Sequence, residues 1–281
     1  MKGFNVDFLG GNLKVKVPTL DEELLKVSLN NGEIFDFTHF SLAMNKILKS
    51  AIYVASNVDK SKFKKIHEHR HWHFDSIIGE ENQLGNDFYE KNNWDRGHLA
   101  RRADLMWGSE DDVENAQYDS CCWANISLQH HEFNTGIWSK LEGWIIENPD
   151  ILSKKLSIFT GPINGGGSME YCGVKKLLGC GVFIPTAFWK VIFYINKSNN
   201  LKCISFIMSQ EEYLKRGKNE GLKFLKPYEV SLKEISRLTN LKFEDNLYDV
   251  DVFNNNNNDN TIESKDQEAH LIEGEDDLIL H

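Results

Sequence analysis

Trp94-Asp95-Arg96-Gly97-His98-Leu99-Ala100-Arg101-Arg102-Ala103-Asp104 is the densest polar run of the chain, and the reading of the fold turns on it. It sets an imidazole, His98, beside a carboxylate able to orient it and a guanidinium shaped for bidentate contact with phosphate. Gly97 between Arg96 and His98 suits an ordinary surface turn with an ion pair equally well, so these residues alone decide nothing. Two further runs follow downstream, Trp123-Ala124-Asn125-Ile126-Ser127-Leu128-Gln129 and Phe133-Asn134-Thr135-Gly136-Ile137-Trp138-Ser139-Lys140-Leu141-Glu142. Upstream stands Arg70-His71-Trp72-His73-Phe74-Asp75.

Regular structure is expected around these runs. Phe40, Ala43, Met44, Ile47, Leu48, Ala51, Ile52, Val54 and Ala55 recur at helical spacing and predict a helix over 41–56. Ile137, Trp138, Leu141 and Ile145 form one apolar stripe, which predicts a single helix over 134–146. Segments rich in β-branched and aromatic residues at 155–159, 181–184, 189–195 and 201–207 read as strands. Their close spacing leaves no room for a simple βαβ array, so the class is mixed α/β.

Composition narrows the functions. With 281 residues, 41% hydrophobic, the chain can bury a substantial core, and collagen, coiled coil and wholesale disorder are excluded. No apolar run approaches the roughly 20 residues of a membrane helix. The first residues lack the order of a secretory signal, and five cysteines without a CxxC pair argue against a disulfide framework or zinc ribbon. A reducing, cytoplasmic setting is the expectation. The net charge of −10 is unevenly spread: eight acidic residues against Lys265 place −7 in 254–281 and leave −3 on the rest. A nucleic-acid cleft on that body is therefore compatible with the charge. The asparagine run Asn254 to Asn258 and the acidic sequence after it predict a disordered tail over 254–281, a main domain over 35–253 and an N-terminal extension over 1–34.

Together the quoted runs resemble the DNA/RNA non-specific endonucleases of the ββα-metal, or His-Me finger, superfamily. The matching features are the DRGH box, the N-I-x-x-Q segment, the N-x-G-x-W-x-x-L-E helix start and the upstream R-x-W-x-x-D. Phe159-Thr160-Gly161-Pro162 and Ile184-Pro185-Thr186-Ala187-Phe188-Trp189-Lys190 look like the family's later strands. The resemblance implies a central antiparallel sheet flanked by helices and a magnesium-dependent endonuclease acting on DNA, RNA or both, with Mn²⁺ as a second candidate ion. It implies His98 as general base, Asn134 as the metal-holding side chain, Glu142 as partner of metal-bound water, Asn125 as a supporting residue, and Arg96 and Arg70 on the scissile phosphate. Products with 5′-phosphate ends are implied in the same way.

One position departs from the family pattern, because Ile146 stands where an arginine is usual, four residues after Glu142. Arg101 and Arg102 are candidates for replacement contacts to substrate. The departure also supports a rival reading, a nucleic-acid-binding module that kept the fold and lost catalysis. Retention of His98, Asn134 and Glu142 together weighs against it, since binding alone needs cations and aromatics but no general base. His67, His69, His71 and His73 alternate and predict one polar strand face, with Arg70 and Trp72 on the other. Such imidazoles can also ligate a transition metal. An unexported non-specific nuclease endangers its own cell, so an inhibitor or regulatory partner is expected. Oligomeric state is left open.

Overall fold

In a computed structural model the residues described are 1–11, 13–65, 67, 69–148, 154–165, 169–173, 182–214, 227–256 and 269–279. The strands are β1 (Thr19–Leu20), β2 (Ile34–Phe37), β3 (Phe40–Asn45), β4 (Ser50–Asp59), β5 (Trp94–His98), β6 (Ile126–His130) and β7 (Lys155–Ile163). They continue as β8 (Met169–Tyr171), β9 (Val182–Ile184), β10 (Ala187–Ile195), β11 (Leu201–Ser209), β12 (Pro227–Val230), β13 (Leu241–Lys242) and β14 (Ala269–Leu271). Eight of them form one sheet in the order β14-β12-β11-β10-β7-β4-β3-β2, with every neighbouring pair antiparallel.

Both faces of this sheet are covered, and alternation along β10 assigns its side chains. Phe188, Ile192 and Tyr194 enter one core with Leu42, Val54, Ile158 and Phe206. Trp189, Val191 and Phe193 enter the other with Tyr53, Phe159, Leu241 and Phe243. The first face is closed by α2 (Arg102–Leu105), α3 (Glu110–Ser120) and α5 (Ile137–Glu147), through Leu105, Val113, Ala116, Trp138, Leu141 and Ile145. On the second face lie Val15 and two residues of the helix Leu232–Thr239, Leu232 and Ile235.

The expected helix over 41–56 is a hairpin, β3 and β4. Every residue of both strands is buried, so the alternation that betrays a half-exposed strand is missing and the apolar positions mimic a helical stripe. The turn is built by Asn45, whose Oδ1 accepts from the backbone N–H groups of Ile47 and Leu48, with Lys49 at φ 54°.

The ends of the chain also differ from expectation. Residues of the expected extension join the fold: the Gly3 N–H donates to the Phe37 carbonyl, and Val15 is fully buried. At the other end β14 pairs with β12, and Ile272 is buried under the edge of the sheet. Leu271, Ile272, Leu278 and Ile279 are few among acidic neighbours, yet an edge strand needs only a handful of apolar contacts, which average composition hides. Cys172 is disulfide-bonded, whereas Cys121, Cys122 and Cys203 are free and buried. The bonded cysteine removes the support that cysteine usage lent to a reducing compartment. No helix among the described residues is long and apolar enough to cross a membrane.

Candidate active site

The polar run opens the smaller ribbon, β5 paired antiparallel with β6 in the register Trp94↔His130, Asp95↔Gln129, Arg96↔Leu128, Gly97↔Ser127 and His98↔Ile126. The short helix α4 (His131–Thr135) follows β6 at once and packs back on both strands, so the local unit is ββα. Gly97 is required here, because a Cβ would lie 2.2 Å from the side chain of Gln129 across the ribbon. Gln210 ties the ribbon to the main sheet: its Nε2 donates to the carbonyls of Leu128 and Pro185, and its Oε1 accepts from the His130 N–H.

His98 ends β5. Its ring lies 5.6 Å from that of Trp72, and its Nε2 is enclosed without a hydrogen-bond partner among the described residues. Burial pushes its pKa down to about 3, with the guanidiniums of Arg102 and Arg70 adding to the effect. The imidazole is therefore neutral across the physiological range. Asn125, fully buried, braces the segment just after it. Its Oδ1 accepts from the Ala100 N–H at 2.8 Å, its Nδ2 donates to the Ala100 and Ser120 carbonyls, and its own carbonyl accepts from Leu99.

Arg96 lies with its guanidinium 5.3 Å from the Trp72 ring centre, and its Nη2 donates to Asn86 Oδ1. Arg70 is exposed on the segment that carries Trp72. Arg102 reaches Gln117 Oε1 at 3.4 Å. On α4, Asn134 donates from Nδ2 to Asp95 Oδ2 at 3.1 Å, and the same carboxylate oxygen meets His131 Nδ1 at 3.0 Å. That bond orients the amide and leaves its Oδ1 as a neutral oxygen donor, the ligand chemistry of a hydrated hard cation. Among the described residues no group of three or more His, Cys, Asp or Glu side chains could hold a metal.

One expectation changes in this region. The single helix over 134–146 is broken at Gly136 (φ −89°, ψ −129°), where a Cβ would lie 2.3 Å from the Glu132 carbonyl oxygen. Asn134 and Glu142 therefore stand on separate helices, α4 and α5. Glu142 is buried and engaged with cations: Oε1 lies 3.0 Å from Lys190 Nζ and Oε2 lies 3.5 Å from Arg101 Nε. Arg101 also pairs with Asp104 at 3.3 Å, so its guanidinium is shared between two carboxylates. Asp104 has its pKa raised to about 6 by burial, against the lowering pull of Arg101.

Sequence reasoning placed Lys190 only within a later strand. Its position between Phe188 and Ile192 on β10 puts an ammonium into the buried face, where Thr160 Oγ1 at 3.1 Å and Glu142 receive it. A lone lysine in an apolar strand is the signal that would have found it, since such a charge must have a partner. His131 was likewise unassigned, and Asp95, read as a carboxylate able to orient His98, is bonded to His131 and Asn134. These contacts depend on ribbon register, which spacing does not disclose.

Comparison with known proteins agrees with this geometry. The family model for DNA/RNA non-specific endonucleases matches residues 22–250. An uncharacterized protein, y4fB, of Sinorhizobium fredii (strain NBRC 101917 / NGR234) is 30% identical over 276 residues, which is 90% of this chain and 40% of that protein. The chain thus spans about two-fifths of that relative's length. A nuclease of Serratia marcescens is 29% identical over 209 residues, 72% of this chain and 71% of the relative. Among solved structures, the crystal structure of the EndoG/EndoGI complex aligns with a TM-score of 0.55 at 19% identity, covering 79% of this chain and 89% of that one. At that identity the likeness concerns the fold, a large antiparallel sheet with helices and a ββα unit. On the family match and this fold, the chain belongs to the DNA/RNA non-specific endonuclease family.

Proposed function

We propose that the protein is a magnesium-dependent endonuclease that hydrolyses phosphodiester bonds of DNA, RNA or both without sequence specificity, leaving 5′-phosphate ends. The observation that carries this reading is the neutral His98 beside guanidiniums, its Nε2 without a hydrogen-bond partner among the described residues. A binding module has no use for an imidazole kept deprotonated beside phosphate-binding cations.

In this reading His98 takes a proton from water as it attacks phosphorus in line. Arg96 and Arg70 hold the scissile phosphate and offset the charge that develops on its oxygens. Asn125 keeps His98 in place by pinning Leu99 and Ala100. Asp95 turns the Asn134 amide so that its oxygen would hold the divalent ion, Mg²⁺ or Mn²⁺, and that ion supplies positive charge at the phosphate. Glu142, locked by Lys190 and Arg101, would stand behind the ion's hydration shell as a fixed negative charge. Phosphate contacts give affinity without reading bases, in keeping with non-specific cleavage and strong salt inhibition. A protein inhibitor belongs to the proposal too, since uncontrolled cleavage endangers the host; the EndoG structure is of an EndoG/EndoGI complex described as a mechanism of EndoG inhibition.

The test is plasmid nicking with Mg²⁺, with EDTA, and by two variants. His98→Ala is expected to lower turnover by at least about 10²-fold while DNA binding survives, the usual scale of general-base catalysis. Asn134→Ala is expected to abolish Mg²⁺-supported cleavage. EDTA-resistant nicking, or full activity in the His98 variant, would overturn the reading.

A further inference from the structure

The segment that carries Arg70 and Trp72 presents a second surface that the proposed chemistry does not use. Trp72 turns inward, stacking on Trp123 at 5.2 Å and reaching His98. On the outer side the His73 ring stacks on Tyr118 at 4.0 Å and 20°, and His71 stacks on the same phenol at 5.5 Å and 21°. His67 and His69 form a second parallel pair at 4.9 Å and 14°. Tyr118, near the end of α3, is 48% exposed, and His67, His69 and His71 are exposed as well.

These rings are held by the protein. The His69 N–H donates to Gln117 Oε1 at 3.1 Å, the oxygen that also receives Arg102. The Trp123 N–H donates to the His73 carbonyl at 2.9 Å, and His73 Nδ1 meets the His71 carbonyl at 2.9 Å. The stack is therefore fastened to α3 through Gln117 and to Trp123, the residue on which Trp72 stacks. A metal is not its natural occupant, because parallel stacked rings direct their nitrogens side by side and do not converge on one point. Attraction by net charge is not its basis either, since α3 begins with Glu110, Asp111 and Asp112. What the surface offers is a set of exposed and half-exposed rings beside the residues proposed to bind phosphate.

We propose that His71, Tyr118 and His73, continued by His67 and His69, form a base-stacking platform for single-stranded nucleic acid, so that unpaired strands bind more tightly than duplex. The inference rests on the nuclease reading for its choice of ligand. Base–aromatic stacking requires only an accessible ring face, tolerates every base, and is worth about 1–3 kcal/mol per base.

The experiment measures binding, not cleavage. The whole chain in EDTA is titrated into fluorescein-labelled oligothymidylate of 12 nucleotides and into an abasic strand of the same length. Tyr118→Ala combined with His71→Ala and His73→Ala is expected to weaken oligothymidylate binding at least about 5-fold, the lower end of one stacked base, and to leave the abasic strand unaffected. Tyr118→Phe keeps the ring and should keep the affinity, which guards against loss of fold in the triple variant. Unchanged oligothymidylate affinity in the triple variant would overturn the platform, as would an equal loss on the abasic strand. Stack-dependent binding by a protein that cuts nothing would sink the nuclease reading and leave the platform standing; cutting with stack-independent binding would do the reverse.

Discussion

Glu142, on the face of the sheet that carries the site, keeps one oxygen against Lys190 and the other toward Arg101. Glu229, on β12 near the opposite edge, is as fully enclosed, yet one oxygen has only the Ile279 N–H and the other has no partner among the described residues. Burial raises the Glu229 pKa to about 8, with nearby Asp251 adding to the rise. The first carboxylate has two cations brought to it, and the second is kept neutral by holding its proton. The difference marks which region gathers cations for ionic chemistry and which is a packing device under the C-terminal strand.

The largest effect should come from breaking the Glu142 arrangement. Lys190→Met is expected to cost about 3–5 kcal/mol, the scale for removing one partner of a buried pair, and Glu142→Gln added on top should recover part of the stability while leaving cleavage low. Urea unfolding of the single and double variants measures this. If Lys190→Met matches the parent in stability, the two groups do not compensate each other.

Glu229→Gln should sharpen the contrast by an effect on stability that grows as pH rises from 4.5 to about 8. Because the folded-state pKa lies above the ordinary value of 4.5, the native state holds the proton more tightly, and the stability this provides is present below pH 4.5 and lost as pH rises through about 8. The glutamine variant should therefore match the parent near pH 4.5 and exceed it by up to roughly 4 kcal/mol above pH 9. Equal pH dependence of thermal unfolding in the two proteins would show that Glu229 is ionised in the native state.

The smallest expected effect lies at His98, where Arg102 acts opposite to the way Lys190 acts on Glu142, as a like charge that disfavours the protonated form. Arg102→Ala should raise the His98 pKa from about 3 toward 6.5, by less than burial contributes, since burial is the largest cause. NMR titration of the His98 ring protons reads the shift directly. A fall in pKa would show that Arg102 is not the neighbouring charge that matters.

Much of the candidate site was legible because its parts lie in short runs of sequence. His98 and Arg96 share one strand, Asn125 precedes the next, and Asn134 follows it on the packed-back helix. What was missed involves pairs far apart in the chain. Lys190 and Glu142 are brought together by a strand of the main sheet and a helix laid over it, and Asp95 meets Asn134 only through the ribbon. The misread hairpin at β3 and β4 has a related cause, because burial on both faces erased the period of two on which a strand reading depends. Gly136 was visible, but whether it ends a helix depends on the carbonyl of Glu132 lying against it.

The sequence by itself therefore determined the family, the mixed α/β class and the residue types at the site, since these follow from local runs whose chemistry does not depend on distant partners. The tertiary structure alone decided which charges are neutralised, with Arg101 shared between Asp104 and Glu142, and Glu229 left to its proton beneath the final strand. The physical reason is that a buried charge is governed by whatever lies within a few ångströms of it, and those neighbours come from elements dozens of residues away that only the packed sheet brings into contact.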